Sequence, residues 1–318
     1  MDQTSKIFVA GHRGLVGSAI CRRLAADGFG NVVVRSQAEV DLSDAHAADA
    51  FFSAEKPEYV FLAAAKVGGI LANSKYPVDF LRNNLLIETS VLDAAWRHGV
   101  RKVLCLGSSC IYPKFAPQPI REDSLLSGPL EPTNEWYAIA KIAGIKLAQA
   151  YHRQYGMEAI SLMPTNLYGP GDNFDLETSH VLPAMLRKFH EAAESQAPEV
   201  TLWGSGSPRR EFLHVDDLAD ATVFLMERYS SPEIVNVGVG EDLTILELAE
   251  LIAEITGFRG KLRFDSSKPD GTPRKLLDVS KLTALGWKAH IPLREGIRQT
   301  YEWYKRKALS DRQSAIGR

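Results

Sequence analysis

Short apolar runs alternate with amphipathic stretches through the first half of the chain. Ile7 to Ala10 is apolar throughout and runs into glycine, the pattern of a parallel strand buried on both faces. Residues 11–17 read as a turn, and 18–27 carry Ala19, Ile20 and Leu24 at helical spacing. A β-branched run at 31–34 and apolar runs at 59–64 and 102–107 repeat the strand signal, with helical segments before the last two. Strand and helix in alternation predict a doubly wound α/β fold, a parallel sheet covered on both faces. The second half is less regular. Glycine- and proline-rich stretches at 169–173 and 204–208 interrupt it. Residues 212–217 resume a sheet-like run, 235–239 read as a strand, and 181–190 as a helix. Residues 244–257 form an amphipathic pattern with Thr244 as N-cap and Glu247 three positions later, a capping-box signal.

Composition narrows the class. The chain has 318 residues, 45% hydrophobic and 24% charged, which is ample for a full core. A formal net charge of -2 gives no global basic field for nucleic acid or an anionic membrane. No apolar run reaches the length of a membrane span. Cys21, Cys105 and Cys110 offer neither a disulfide framework nor zinc-ligand spacing, and no metal site is expected. The opening MDQTSKIFVAG is too short and polar for a secretory signal, so the cytoplasm is the expected compartment.

The first chemistry lies in GHRGLVG, where Gly11, Gly14 and Gly17 fall between a strand and a helix. Glycine permits the tight turn and lets backbone approach a pyrophosphate, and the helix start then offers free N–H groups. The context makes this a dinucleotide site rather than a merely structural turn. The second strand ends in Arg35-Ser36 with no acid to accept the adenosine ribose hydroxyls. Arg13 and Arg35 are therefore candidates to hold the 2′-phosphate of NADP, against the reading that both are solvated surface arginines.

A second group is Tyr137 and Lys141, four apart and so on one helix face. An ammonium beside a phenol favours phenolate, which tunes the tyrosine as a proton donor. Ser108, in the strand-end run Gly107–Tyr112, lies where open α/β sheets bind ligands. Two residues on, Cys110 would face the same place if the backbone there is extended. A free cysteine is more often a buried inert thiol.

This combination resembles the extended short-chain dehydrogenases/reductases. AGHRGLVGSAI, LAAAKVGGI, LGSSCIYPK, EPTNEWYAIAKIAGIK, MPTNLYGP, REFLHVDD and KPDGTPRKLLD resemble one branch, which acts on GDP-linked keto sugars; these blocks run from residue 10 to about 278. The resemblance implies a Rossmann domain over 1–170, rejoined by 213–240, that binds NADPH. A smaller C-terminal α/β domain, 171–212 and 241–309, would bind the GDP-sugar. The polar 310–318 would be a frayed tail. It implies that GDP-4-keto-6-deoxy-mannose is epimerised at C3 and C5 and then reduced at C4.

Ser108, Tyr137 and Lys141 match the family's catalytic triad, Cys110 its epimerisation base and His180 its epimerisation acid. The cofactor would be touched by Gly11, His12, Arg13, Gly14, Leu15, Val16 and Gly17, by Arg35, Asp41 and Leu42, and by Leu106, Gly107, Ser108, Ser109 and Lys141. Pro164, Thr165, Asn166, Leu167 and His180 would complete that set. Lys188, Trp203, Arg210 and Asp270 fall on positions that contact the substrate. Trp203 could equally be packed core, and His180 a helix cap; His190 reads as surface. Gln37 stands where many members carry arginine, which weakens strict NADP selectivity. A homodimer is implied, paired through the helices at 84–98 and 137–155. Rival readings are an NAD-regenerating 4-epimerase or dehydratase, a sibling reductase yielding GDP-colitose or a heptose derivative, and a catalytically silent dinucleotide-binding regulator. Related dehydratases carry glutamate where Cys110 stands, and all of Ser108, Tyr137 and Lys141 are present.

Overall fold

The structure, a computed structural model, describes residues 1–268 and 270–316. In chain order it runs β1 (Ile7–Ala10), α1 (Leu15–Ala26), β2 (Val32–Val33), α2 (Ala45–Glu55), β3 (Tyr59–Leu62), α3 (Ile70–Lys75), α4 (Pro77–Arg97) and β4 (Lys102–Leu106). A 3-10 turn at Ser109–Ile111 precedes α5 (Glu135–Tyr155), β5 (Ala159–Pro164), β6 (Asn166–Tyr168) and α6 (Val181–Glu194). Then follow β7 (Glu199–Trp203), β8 (Arg209–Arg210), β9 (Phe212–His214), α7 (Val215–Arg228), β10 (Val235–Val237), β11 (Leu243–Thr244) and α8 (Ile245–Thr256). The chain closes with β12 (Lys261–Asp265), β13 (Arg274–Lys275), α9 (Ser280–Ala284) and α10 (Leu293–Ile316).

Six parallel strands form the main sheet in the order β2-β1-β3-β4-β5-β10. Alternate side chains of a strand face opposite sides, so a strand covered on both must be apolar throughout. Ile7 and Val9 pack with Ile20 and Leu24 of α1 and Leu218 and Leu225 of α7. Phe8 and Ala10 pack with Phe51 and Phe52 of α2 and Val91 and Leu92 of α4. Strand order reverses between β1 and β3, and a doubly wound sheet opens its ligand crevice at the carboxyl ends flanking that point.

A smaller layer gathers α6, α8 and α10 around the parallel pair β7 and β12, with Leu186, Phe189, Leu248, Ile252 and Ile297 in its core. The capping box at Thr244 and Glu247 forms. Between the layers, β8 pairs with β11 and β13, and β6 with β9.

Three features differ from the sequence reading. The sheet-like run at 212–217 ends at His214, because that side chain accepts from the Asp216 N–H and starts α7. Residues 276–289, expected with the smaller domain, return to the large sheet: Leu282 and Trp287 are buried with α1 and α7, and Leu277 with Met163 of β5 and Ile234 just before β10. The polar tail continues as helix to Ile316, and 317–318 lie outside the described residues. No helix among the described residues is long and apolar enough to cross a membrane.

Candidate functional site

The turn after β1 needs its glycines. Gly11 has φ +85°, and a Cβ there would lie 2.7 Å from the Ala64 amide nitrogen; at Gly17 it would lie 2.1 Å from the Gly11 carbonyl oxygen. The strand ends and helix start therefore approach as closely as backbone allows. Gly14 caps α1 without a side-chain bond, so the first N–H groups of the helix stay open toward the crevice. This suits a pyrophosphate. Arg13 is exposed on the turn, beside His12, Leu15 and Val16. Arg35 is engaged already: it pairs with Glu55, donates to its neighbour's carbonyl at 2.7 Å, and lies over the Phe51 ring. The strand end, read as lacking an acid, receives one by folding. Glu39 turns back to accept from the Ser36 side chain and backbone. These bonds, with Arg35 and Arg13, hold its carboxyl below the usual range. Asp41 accepts from the Ser43 backbone and hydroxyl, and the Leu42 side chain is buried in the core under α2.

The ends of β4 and α5 bring the second group together. Ser108 leaves β4 extended, at φ -162° and ψ 149°, with its hydroxyl near enough to the Tyr137 phenol to help lower its pKa. Gly107 admits the Met163 side chain, whose Cε would lie 2.5 Å from an added Cβ. Lys141 is buried, its ammonium donating to Glu88 and to the Leu106 carbonyl, both at 2.9 Å. Its Nζ lies 5.9 Å from the Tyr137 ring centre. The expected balance is reversed here: burial dominates and pushes the Tyr137 phenol up to about 12, while Lys141 pulls the other way. The phenol thus rests protonated, as a proton donor must.

Cys110 does not follow an extended strand, as its spacing suggested. It sits on the 3-10 turn between buried Ser109 and buried Ile111, with Ser108 accepting from its N–H. That turn still presents the sulfur to the cleft, where the Lys275 ammonium meets it at 3.4 Å. His180 is the exposed N-cap of α6, and its imidazole makes no capping bond. Crowding by protein atoms depresses its pKa, and the Lys275 ammonium adds to this. One lysine thus faces both the thiol and the imidazole.

On the substrate side, Arg210 donates to the Arg209 and Asp270 carbonyls and sits in the field of Cys110, Asp270 and Glu131. Burial lowers its pKa, as it does that of half-buried Lys188 on α6. Trp203 is 54% exposed, which removes the core-packing alternative, and Lys268 lies over its ring. The Asp270 carboxylate is taken up by the Ser205 N–H and hydroxyl. His190, read as surface, is buried and bonded to the Tyr301 hydroxyl at 3.0 Å. Past β5, the Thr165 hydroxyl and Asn166 amide donate to the Glu211 carbonyl, Pro164 ends the strand, and Leu167 packs on the large-sheet core. Among the described residues no group of three or more His, Cys, Asp or Glu side chains could hold a metal ion.

The sequence profile of the NAD dependent epimerase/dehydratase family matches residues 7–238. The chain belongs to this family. Within it, the chain is 64% identical over 303 residues to GDP-L-fucose synthase 1 of Arabidopsis thaliana, covering 95% of this chain and 94% of that protein. It is 54% identical over 308 residues to GDP-L-fucose synthase of Escherichia coli K12, covering 94% and 96%. The solved GDP-L-fucose synthetase of Naegleria fowleri bound to NADP superposes with a TM-score of 0.89 at 30% identity, covering 97% of this chain and 96% of that one.

Three charged residues of this epimerase/dehydratase fold escaped the sequence reading. Lys275 is 165 positions from Cys110. Glu88 lies on α4 with no spacing cue toward Lys141. Glu211 is fully buried and accepts from the N–H groups of Val239, Gly240 and Leu277, tying β8 and β9 to both returning loops. Only the third had a sequence signal, an acid inside the apolar run REFLHV.

Proposed function

We propose that the chain converts GDP-4-keto-6-deoxy-mannose to GDP-L-fucose in one site, by epimerisation at C3 and C5 and NADPH-dependent reduction at C4. The observation that carries this reading is the Cys110 sulfur, against Lys275 and in the same cleft as the Ser108, Tyr137 and Lys141 group. A reductase alone needs only the latter group, and a dehydratase would place a carboxylate where the thiol stands.

A 4-keto group acidifies the C–H bonds at C3 and C5, because the carbanion becomes an enolate. Cys110 removes those protons, and the adjacent ammonium of Lys275 balances the negative charge left at the site. His180 returns protons from the opposite face. Ser108 polarises the carbonyl, and Tyr137 protonates the alkoxide that develops at C4. Lys141 steadies the nicotinamide ribose and tunes Tyr137. NADPH, when bound at the glycine turn, supplies the hydride. Gly11, Gly14 and Gly17 hold its pyrophosphate. Arg13 takes the 2′-phosphate, joined by Arg35 once that side chain exchanges Glu55 for the anion. Arg210 and Lys188 face the substrate diphosphate, and Trp203 offers a flat surface to the base or sugar.

The test is incubation with this substrate and NADPH, following loss of reduced nicotinamide and identifying the sugar by NMR. Consumption of NADPH with inversion at both carbons is the expected result. An unconsumed coenzyme, or a product not inverted at C3 and C5, would overturn the reading and favour a 4-epimerase or a GDP-colitose or heptose-type reductase. A homodimer through α4 and α5 is part of the proposal. Trp136 and Ile139 on α5 and Trp96 on α4 remain 42%, 38% and 37% exposed. Light scattering at a single-subunit mass would remove that part. The three free thiols suit the reducing cytoplasm.

A further inference from the structure

The buried pair of Lys141 and Glu88 has more order than charge neutralisation needs. Glu88 lies on α4 and Lys141 on α5, both nearly inaccessible, with relative side-chain exposures of 8% and 4%. One carboxylate oxygen, Oε1, accepts from the ammonium at 2.9 Å. The other, Oε2, is buried and has no hydrogen-bond partner. It rests in a notch made by Gly144, one turn after Lys141, where any Cβ would lie 2.0 Å from it. The notch admits the carboxylate only because residue 144 lacks a side chain. With Glu88 and the Leu106 carbonyl each taking one N–H, the ammonium has one N–H left for the cleft side.

We infer that Glu88 is a positioning residue for the reduction step, the fixed counter-ion that holds the Lys141 ammonium charged and aimed beside Tyr137. This rests on the function proposed above and adds a residue to it. The titratable groups facing the pair are Tyr137 on α5 and Cys105 on β4, with Cys110 beyond Tyr137; burial raises the Glu88 carboxyl too, and the Lys141 ammonium and its hydrogen bond oppose that. Burial pushes the Cys105 thiol up to about 12, so it stays neutral and does not compete for the ammonium. Burial alone would push Lys141 toward its neutral amine. Glu88 is the leading force in the other direction, followed by Tyr137, and the net direction is upward. Glu88 and Cys110 also add to the upward push on the Tyr137 phenol.

Both influences act the same way on activity when the carboxylate is neutralised. Without the anion, the buried lysine loses its proton at lower pH, and the phenol ionises at lower pH. Reduction needs the ammonium charged and the phenol protonated. In Glu88→Gln, an isosteric change, the alkaline limb of the reduction rate at saturating NADPH should therefore move acidward by about one pH unit or more. Glu88→Asp keeps the charge and should recover much of the wild-type limb. Solvent deuterium exchange at C3 and C5 depends on Cys110 and His180 and should stay within about two-fold of wild type.

A purely structural role would lower stability and all rates together and leave the limb in place, and that result would overturn the inference. If Glu88→Gln does not fold, Gly144→Ala fills the notch while keeping every charge. It should displace the carboxylate and shift the same limb; an unmoved limb in that variant also defeats the idea. Failure of the underlying function would show differently, as a wild-type enzyme that leaves NADPH unconsumed with this substrate.

Discussion

At the residue scale, the cleft divides its labour between neighbours. In the proposed mechanism Cys110 serves carbon acidity and Tyr137 the carbonyl oxygen, and the two lie in one another's field. Cys110→Ser should abolish deuterium exchange at the carbons it serves. Tyr137→Phe should keep exchange while reduction falls by about 100-fold or more, the usual weight of a lost general acid. Exchange lost in the tyrosine variant, or reduction unharmed in it, would reverse the assignment. His180 tests the role of Lys275. His180 keeps an exposed side, yet its imidazole pKa lies below the ordinary 6.5, through crowding by nearby protein atoms first and the Lys275 ammonium second. A proton donor with a lowered pKa loses its charged form at lower pH, so the His180-dependent exchange should already decline below neutrality. Lys275→Met removes one of the two causes. The ring titration, followed by NMR, should move upward and the exchange profile with it; a ring that titrates unchanged would show that the ammonium does not act on it. Tyr137 and Lys141 were legible because helix periodicity puts them on one face, and Ser108 because a strand's carboxyl end is where an open α/β sheet gathers its site. Lys275 was illegible because only tertiary packing brings it 3.4 Å from the sulfur.

At the scale of elements, local chemistry predicts well where local bonds decide. The Thr244 and Glu247 capping box forms because its side chain and backbone bonds lie within four residues. The run at 212–217 was misjudged for the same kind of reason, since apolar content resembled a strand while the His214 cap and the acids Asp216 and Asp217 favour a helix start. What holds β8 in place is not local. Glu211 gathers the backbone N–H groups of Val239, Gly240 and Leu277 while its own carbonyl receives Thr165 and Asn166. Its neighbour Arg210 is aimed into the cleft from this junction. Glu211→Ala would leave those N–H groups unpaired at a position with 0% exposure. The expected loss is roughly 3 kcal/mol or more in denaturant unfolding. Substrate KM should rise as well, since Arg210 adjoins the residue whose carboxylate ties these loops together. A variant within about 0.5 kcal/mol of wild type would show that the junction repacks freely.

At the scale of the whole molecule, alternation of strand and helix revealed the parallel sheet and its two covered faces, because that architecture leaves a period in the sequence. The second return of the chain, at 276–289, was harder to place: its apolar residues, Leu282, Leu285 and Trp287 among them, mark a buried segment, but their burial against α1 and α7 rather than in the smaller layer depends on where that layer releases the chain. Stability against pH is a property of this whole, and one loop residue between the layers should dominate a window of it. Asp172 is 6% exposed; its Oδ1 accepts only the Asn173 N–H and its Oδ2 has no hydrogen-bond partner. Burial pushes its carboxyl from 3.8 up to about 7. A carboxyl that binds its proton more tightly when folded weakens the fold as pH rises between the unfolded and folded pKa values. The penalty is absent below about pH 4, grows to about pH 7, and is constant above; three units bound it at about 4 kcal/mol. Asp172→Asn resembles the protonated acid in shape and keeps an acceptor for Asn173. Its thermal midpoint should match wild type at low pH and then rise above it through this window, reaching a steady advantage at pH 8. A difference that stays flat from pH 4 to 8 would mean that the carboxyl titrates alike in both states, with solvent reaching it despite the loop that encloses it.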